Sequence, residues 1–219
     1  MVKRIFISKN ASEVELLNTF LESKGIDLIA HSFLKFSPLY PAIKERYDVI
    51  FFGSPRSVLF FKKQFEIPTN TAIACVGNKT AESVKSLGLE VAFSGDKRGS
   101  ISEIAESFKA WCGGRKVLFP ISSRSLKTVS SLFEKKKKIE VEVYDTIIVG
   151  QKIEPCTTYI FTSPSNFEGF INKNEIPHNA EVIAWGDSTR KAMERSKIRV
   201  NHVLDRPSID KLIEILGQF

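Results

Sequence analysis

Phe52-Gly53-Ser54-Pro55-Arg56-Ser57 returns 109 residues later as Phe161-Thr162-Ser163-Pro164-Ser165-Asn166. Val76-Gly77-Asn78-Lys79-Thr80-Ala81 returns at the same offset as Trp185-Gly186-Asp187-Ser188-Thr189-Arg190. Two separate motifs that share one offset mark a duplication. Residues 99–104 also echo 207–212, and residues 4–7 echo 116–119, at offsets of 108 and 112.

Each copy reads as strand, helix, strand, connection, then strand–helix repeats. The first copy places strands near 4–8, 27–31, 49–53, 72–76 and 90–92. The second places them near 116–120, 140–144, 159–163, 181–185 and 200–204. Most are short apolar runs such as Val49-Ile50-Phe51-Phe52, as expected of strands covered by helices on both faces of a parallel sheet. Between them lie stretches of helical period. Val14, Leu17, Phe20 and Leu21 mark a helix over 12–23 with Gly25 as its stop; Ala81, Val84 and Leu87, with Gly88 after them, mark a second over 80–87. A helix beginning near Arg124 is expected to end in the run Lys135-Lys136-Lys137-Lys138, with its charge complementing the helix dipole. The fold class is therefore α/β, as two similar doubly wound, flavodoxin-like parallel sheets. The mixed segments 33–38 and 147–152 are long enough to run between domains. Periodicity alone leaves open whether each copy makes its own domain or the two copies exchange their first strand–helix–strand units.

Composition narrows the function. The 219 residues suit one large domain or two small ones, and 42% hydrophobic with 26% charged residues is a globular balance. No apolar run approaches the roughly 20 residues of a membrane helix, and residues 1–8 read as a first strand, not a signal peptide. The three cysteines (Cys75, Cys112, Cys156) are odd in number and widely spaced, and the three histidines are scattered. A reduced, cytoplasmic, metal-free protein is expected. The formal charge of +7 suits a partner rich in phosphate or carboxylate, but no nucleic-acid-binding motif accompanies it.

The repeated turns carry the candidate chemistry. Ser54-Pro55 and Ser163-Pro164 follow strands and open helices, as a good N-cap with proline at the first helical position. Capping alone accounts for them. Such turns also sit at the carboxyl ends of parallel strands, where ligands bind, and offer amides and partial positive charge to an anion. Gly77-Asn78-Lys79-Thr80 and Gly186-Asp187-Ser188-Thr189 form a second such pair, with Asn78 or Asp187 as the expected cap. Neither is a Gly-x-Gly-x-x-Gly or P-loop fingerprint. Lys9, Arg56, Lys79 and Arg124 stand just beyond strand ends, with Ser122, Ser165 and Ser188 in the same turns. Tyr144 is read as the end of the strand Val141-Glu142-Val143-Tyr144, either as a packed ring or as a proton donor. No catalytic triad or carboxylate pair is readable.

These residues resemble the uroporphyrinogen-III synthase family over essentially the whole chain. The likeness rests on the duplicated Ser-Pro turns at 53–56 and 162–165, the Val-Gly-x-x-Thr-Ala turn at 76–81 with its partner at 186–189, the strand end Leu118-Phe119-Pro120, and Val143-Tyr144-Asp145-Thr146. The resemblance implies two α/β domains, residues 1–34 with 151–219 and residues 38–147, joined by two linker strands at 35–37 and 148–150, with the active site in the cleft between them. It implies a metal-free, cofactor-free monomer that cyclises hydroxymethylbilane, a linear tetrapyrrole with eight carboxylates, to uroporphyrinogen III. Loss of the ring A hydroxyl as water would give an azafulvene, and ring D would then be inverted through a spiro-pyrrolenine. By position, Tyr144 matches the tyrosine assisting loss of the hydroxyl, and Ser54, Thr80, Ser163 and Thr189 match cleft-lining hydroxyls. Backbone amides at these turns, including those around Gly77 and Gly186, would hold acetate and propionate groups. The chain departs from the family pattern in having Lys9 where arginine is common, and Gly186-Asp187-Ser188-Thr189 for Gly-Pro-Thr-Thr. Asp187 would oppose an anion there unless it turned inward as a cap. A non-catalytic protein binding a tetrapyrrole or another polyanion is the alternative, and nucleic-acid binding ranks last.

Overall fold

In a computed structural model the described residues are 3–95, 100–205 and 207–217. Met1 and Val2, assigned above to the first strand segment, and Gly99, the first residue of the 99–104 echo, lie outside them. Along the chain run β1 (Arg4–Ile7), α1 (Glu15–Glu22), β2 (Asp27–Ala30), β3 (Leu34–Pro38), β4 (Val49–Phe52), α2 (Pro55–Lys62), β5 (Ala72–Cys75), α3 (Asn78–Lys85), β6 (Phe93–Ser94) and α4 (Ile101–Cys112). Then follow β7 (Val117–Ser122), β8 (Lys138–Ile148), β9 (Thr158–Phe161), α5 (Pro164–Ile171), β10 (Glu181–Ala184), α6 (Asp187–Arg195), β11 (His202–Val203) and α7 (Ile209–Leu216).

The chain divides into two compact units, Met1–Lys35 with Ile147–Phe219, and Phe36–Thr146. It passes from one to the other inside β3 and again inside β8. The discontinuous unit holds a five-stranded sheet in the order β11-β10-β9-β1-β2, with every pair parallel. The continuous unit holds the order β3-β8-β7-β4-β5-β6, with parallel pairing from β8 through β6. Leu39 N donates to Val143 O at 3.1 Å and Val149 N to Phe33 O at 2.8 Å. As one strand ascends the other descends, so β3 lies antiparallel to β8. With β7–β8 standing where β1–β2 stand in the other sheet, both units share one spatial plan.

Burial explains the strands. All four residues of β4 and all four of β9 are buried. In the continuous unit the two faces alternate. Ile50 and Phe52 pack with Val58, Phe61 and Val84, while Val49 and Phe51 pack with Ala105, Phe108 and Phe133. In the discontinuous unit Phe6, Tyr159 and Phe161 pack with Phe167, Phe170 and Met193, while Ile5, Ile7 and Ile160 pack with Leu17, Leu21 and Leu212. Gly25 at φ 67° and Gly88 at φ 73° follow α1 and α3. They take the left-handed conformation that a side chain resists.

Three local expectations are corrected. The first copy's last strand is Phe93–Ser94, not 90–92. The first helix begins later than residue 12: Ala11–Glu13 form a 3₁₀ turn, because Glu13 folds back to accept from the Asn10 amide at 3.1 Å and the Asn10 side chain at 3.0 Å. No α-helix begins near Arg124. Residues 123–137 form turns and two 3₁₀ segments, Ser130–Leu132 and Lys135–Lys137. Ser130 Oγ donates to Lys127 O, Ser131 Oγ to Thr128 O, and Lys127 N to Ser125 Oγ, with Lys127 at φ 56°. Hydroxyls that bond their own backbone compete with helix, and this segment is rich in them. The lysine run therefore lies on a turn and at the start of β8. Lys136 pairs with Glu134 and Lys138 with Glu140.

Candidate active site

The first pair of turns is capped as the residues demand. Ser54 accepts from Ser57 N at 3.1 Å, and Ser57 Oγ donates to Ser54 O at 2.7 Å. Ser163 accepts from Asn166 N at 3.2 Å. Pro55 and Pro164 bring no donor, and Val58 N and Phe167 N bond the cap carbonyls. Among the described residues this leaves the Arg56 amide unbonded at the start of α2 and the Ser165 amide at the start of α5. The second pair is built differently from expectation. The caps are Gly77 and Gly186, with no side-chain cap bond, so Asn78 and Asp187 are first helical residues. The reason is extended backbone at each glycine (φ 175° and 178°), followed directly by helix. Thr80 N and Thr189 N bond the glycine carbonyls at 3.1 Å, and both threonine side chains are 2% exposed. The Asn78, Lys79, Asp187 and Ser188 amides precede them and make no backbone bond of this kind.

Asp187 does not turn inward. Its carboxylate pairs with Lys191 at 2.7 Å and with Arg190. Hydrogen bonds from Lys191 and then Arg190 hold its carboxyl below the ordinary range. Arg190 also pairs with Glu194 at 2.7 Å. Lys9 is likewise engaged. Its ammonium pairs with Glu13 at 3.1 Å and lies 5.7 Å from the Trp185 ring centre. Burial pushes Cys75 up to about 12 and Cys156 up to about 11, so neither thiol is a nucleophile near neutral pH. Among the described residues no group of three His, Cys, Asp or Glu side chains could hold a metal.

Tyr144 is where several candidates meet. It lies within β8, which continues to Ile148 because its backbone still has a partner in β3, so it does not end the strand. The parallel register of β7 and β8 slips between Ile121 and Ser122, and beyond the slip Ser122 stands opposite Tyr144. Such bulges re-aim side chains. Ser123 N bonds Tyr144 O at 3.1 Å, and Ser123 Oγ bonds Asp145. The Tyr144 ring stacks on Phe60 at 4.9 Å and meets Phe36 edge-on at 6.1 Å. Arg56 also meets Phe36: its guanidinium carbon lies 3.6 Å from the ring centre. Gln64 reaches from beyond α2 and donates to Phe60 O at 2.9 Å and Val143 O at 2.8 Å. Tyr144 is 7% exposed, and no described residue bonds its hydroxyl. Ser122 is thus brought opposite Tyr144, and Arg56 to the Phe36 ring that Tyr144 also meets. Lys79 and Arg124 stay exposed at the same strand ends. Phe36, Phe60 and Gln64 were missed in the sequence. For Phe60 the signal is its i+4 spacing from Arg56, which places both on one face of α2; no periodicity marks Phe36 in β3 or Gln64 beyond the helix.

The family model described as "Uroporphyrinogen-III synthase HemD" matches residues 15–214. A curated protein named uroporphyrinogen-III synthase, from Chlorobaculum parvum, is 22% identical, over 97% of this chain and 98% of its own. Two solved structures share the fold. The uroporphyrinogen-III synthetase of Helicobacter pylori superposes with a TM-score of 0.73 at 14% identity, over 100% of this chain and 99% of its own. A mutant uroporphyrinogen III synthase of Thermus thermophilus gives 0.64 at 11% identity, over 99% and 98%. With a family match over residues 15–214, which covers all four repeated turns, the chain belongs to the uroporphyrinogen-III synthase family.

Proposed function

We propose that the chain is a uroporphyrinogen-III synthase, a cyclising lyase of tetrapyrrole biosynthesis that acts on hydroxymethylbilane. The observation that supports this reading best is the family match over residues 15–214 together with Tyr144, a tyrosine held between Phe60 and Phe36 whose hydroxyl no described residue bonds, beside a carboxyl-edge turn. The Tyr144 hydroxyl donates to the ring A hydroxymethyl oxygen as it leaves as water. The electron-rich pyrrole supplies the push and becomes an azafulvene. Ring D attacks through its substituted carbon, and the spiro-pyrrolenine then fragments and recloses with ring D inverted. The protein's main contribution is orientation, which can lower a barrier by several kcal/mol without strong acid–base groups.

Carboxylates of the substrate are proposed to bind at the amides of Arg56, Lys79, Ser165 and Ser188, with Arg56, Lys79 and Arg124 as cations and Ser122 near the leaving group. Gly77 and Gly186 supply the cap carbonyls behind those amides; Ser54 and Ser163 act through their caps. Thr80 and Thr189, with little surface, shape the turn behind the amides. Lys9 reaches a carboxylate only by leaving Glu13. β3 and β8 carry the chain between the two compact units. The enzyme is proposed to work as a monomer in the cytoplasm. No helix among the described residues is long and apolar enough to cross a membrane. Purified protein given hydroxymethylbilane generated in situ is expected to yield mainly the type III porphyrin after oxidation; exclusively type I product would sink the proposal.

A further inference from the structure

Arg56 is exposed, yet it is not a freely solvated arginine. Its guanidinium carbon sits 3.6 Å from the centre of the Phe36 ring, the shortest cation-to-ring distance among the described residues. Among those residues no carboxylate pairs with it and no oxygen accepts from its side chain. A ring face attracts the positive charge but takes none of the hydrogen bonds, so all five N–H donors remain available. The unbonded Arg56 amide lies in the same residue. A carboxylate arriving at the start of α2 thus meets one backbone donor and a guanidinium whose position is already restricted. Holding a long side chain before binding removes the rotamer entropy that would otherwise be lost on binding.

We propose that Phe36 is a positioning residue for substrate carboxylate binding: its ring holds the Arg56 guanidinium over β3 with the donors unspent, and the same ring packs in T-shaped contact with Tyr144. The carboxylate site and the proposed proton donor are thereby referred to one ring. This rests on the reading of Arg56 as a substrate-binding residue.

The test is a double-mutant cycle on the full chain, read as KM for hydroxymethylbilane generated in situ, with thermal unfolding recorded for each variant. Phe36→Leu keeps an apolar side chain but removes the ring face. It is expected to raise KM about two- to fivefold, the factor that an exposed cation–ring contact supports. In the Arg56→Ala background the same change is expected to leave KM where Arg56→Ala has set it, because the contact is already gone. Phe36→Tyr, which restores a ring, is expected to recover KM relative to Phe36→Leu; a purely structural role would not distinguish them by KM. If Phe36→Leu does not fold, Phe36→Met takes its place in the cycle. Equal effects of the Phe36 change in both backgrounds would overturn the proposal. So would an unchanged KM in Phe36→Leu when Arg56→Ala raises it, and in that case the carboxylate site itself stands. If Arg56→Ala leaves KM unchanged in a protein that makes type III product, the Arg56 site falls and the Phe36 role with it.

Discussion

Phe60 in α2 stacks on Tyr144, whereas 109 residues later the matching position of α5 is Gly169, against which Phe33 is packed. A Cβ on Gly169 would come within 2.3 Å of Phe33 Cβ, so the helix there presses directly on the aromatic ring. Phe33 is 1% exposed and ringed by Phe6, Phe170 and His31. The same architectural place is thus a closed core in one unit and a propped tyrosine in the other. Charges follow the same division. In the discontinuous unit Lys9, Arg190 and Lys191 are neutralised by Glu13, Asp187 and Glu194. In the continuous unit Arg56 and Lys79 have no acidic partner among the described residues. A duplicated scaffold can keep its packing plan in both copies while leaving its polar groups unspent in one.

The comparison can be broken most directly at Tyr144. Tyr144→Phe keeps the stacked ring and removes only the hydroxyl, so turnover should fall by roughly tenfold to a hundredfold or more while the unfolding midpoint barely moves. Unchanged turnover would make Tyr144 the structural equal of Phe33. Gly169→Ala should destabilise the discontinuous unit by about 1–3 kcal/mol through overpacking, seen in chemical denaturation; a neutral outcome would mean that helix and ring are not pressed together as described. The two caps sharpen the contrast further. Ser163→Ala should cost about 1–2 kcal/mol, because Ser163 Oγ also receives the Asn166 side-chain amide at 3.2 Å, and Asn166 in turn accepts from Phe33 N at 2.9 Å. Ser54→Ala should cost less, about 1 kcal/mol, and the reverse order would refute this account.

Glu140 gives the continuous unit a pH dependence of its own. Burial raises the Glu140 carboxyl, but hydrogen bonds from Ser130, Lys138 and Lys127 outweigh it and hold the group at about 2, against an ordinary value of 4.5. A carboxylate depressed in the folded state adds stability that is complete above the ordinary value and is lost as pH falls toward the folded one. Denaturation midpoints should therefore decline from about pH 4.5 to 2, and Glu140→Gln should flatten that decline. Parallel curves for the two proteins would remove Glu140 as the cause.

The buried strands were readable because runs such as Val49–Phe52 have few alternatives to a sheet covered on both faces, and the Ser-Pro turns because their capping is local. Residues 123–137 were not. Their helical expectation came from the duplication, while Ser125, Ser130 and Ser131 turn the backbone by bonds that a periodicity of apolar residues does not register. Tyr144 was visible as a residue but not as an arrangement. Its neighbours Phe36 and Phe60 come from β3 and α2, and the slip that sets it opposite Ser122 depends on how two strands pair across the sheet. Asp is a common capping residue, yet the glycine before Asp187 already occupies the capping position, and nearby Arg190 and Lys191 compete for its charge.

The order of strands has a temporal side. On a ribosome the continuous unit is complete once residue 146 has emerged, whereas β1 waits for β9, its sheet neighbour, to be made more than 150 residues after it. At about 5–20 residues per second, Ile5, Phe6 and Ile7 go without their full cover for something on the order of ten seconds. An early-folding insert would bring Lys35 and Ile147 near each other through β3 and β8, which shortens the loop that β1 must close. A destabilised β7 or β8 would thus delay a sheet to which those two strands contribute no central position.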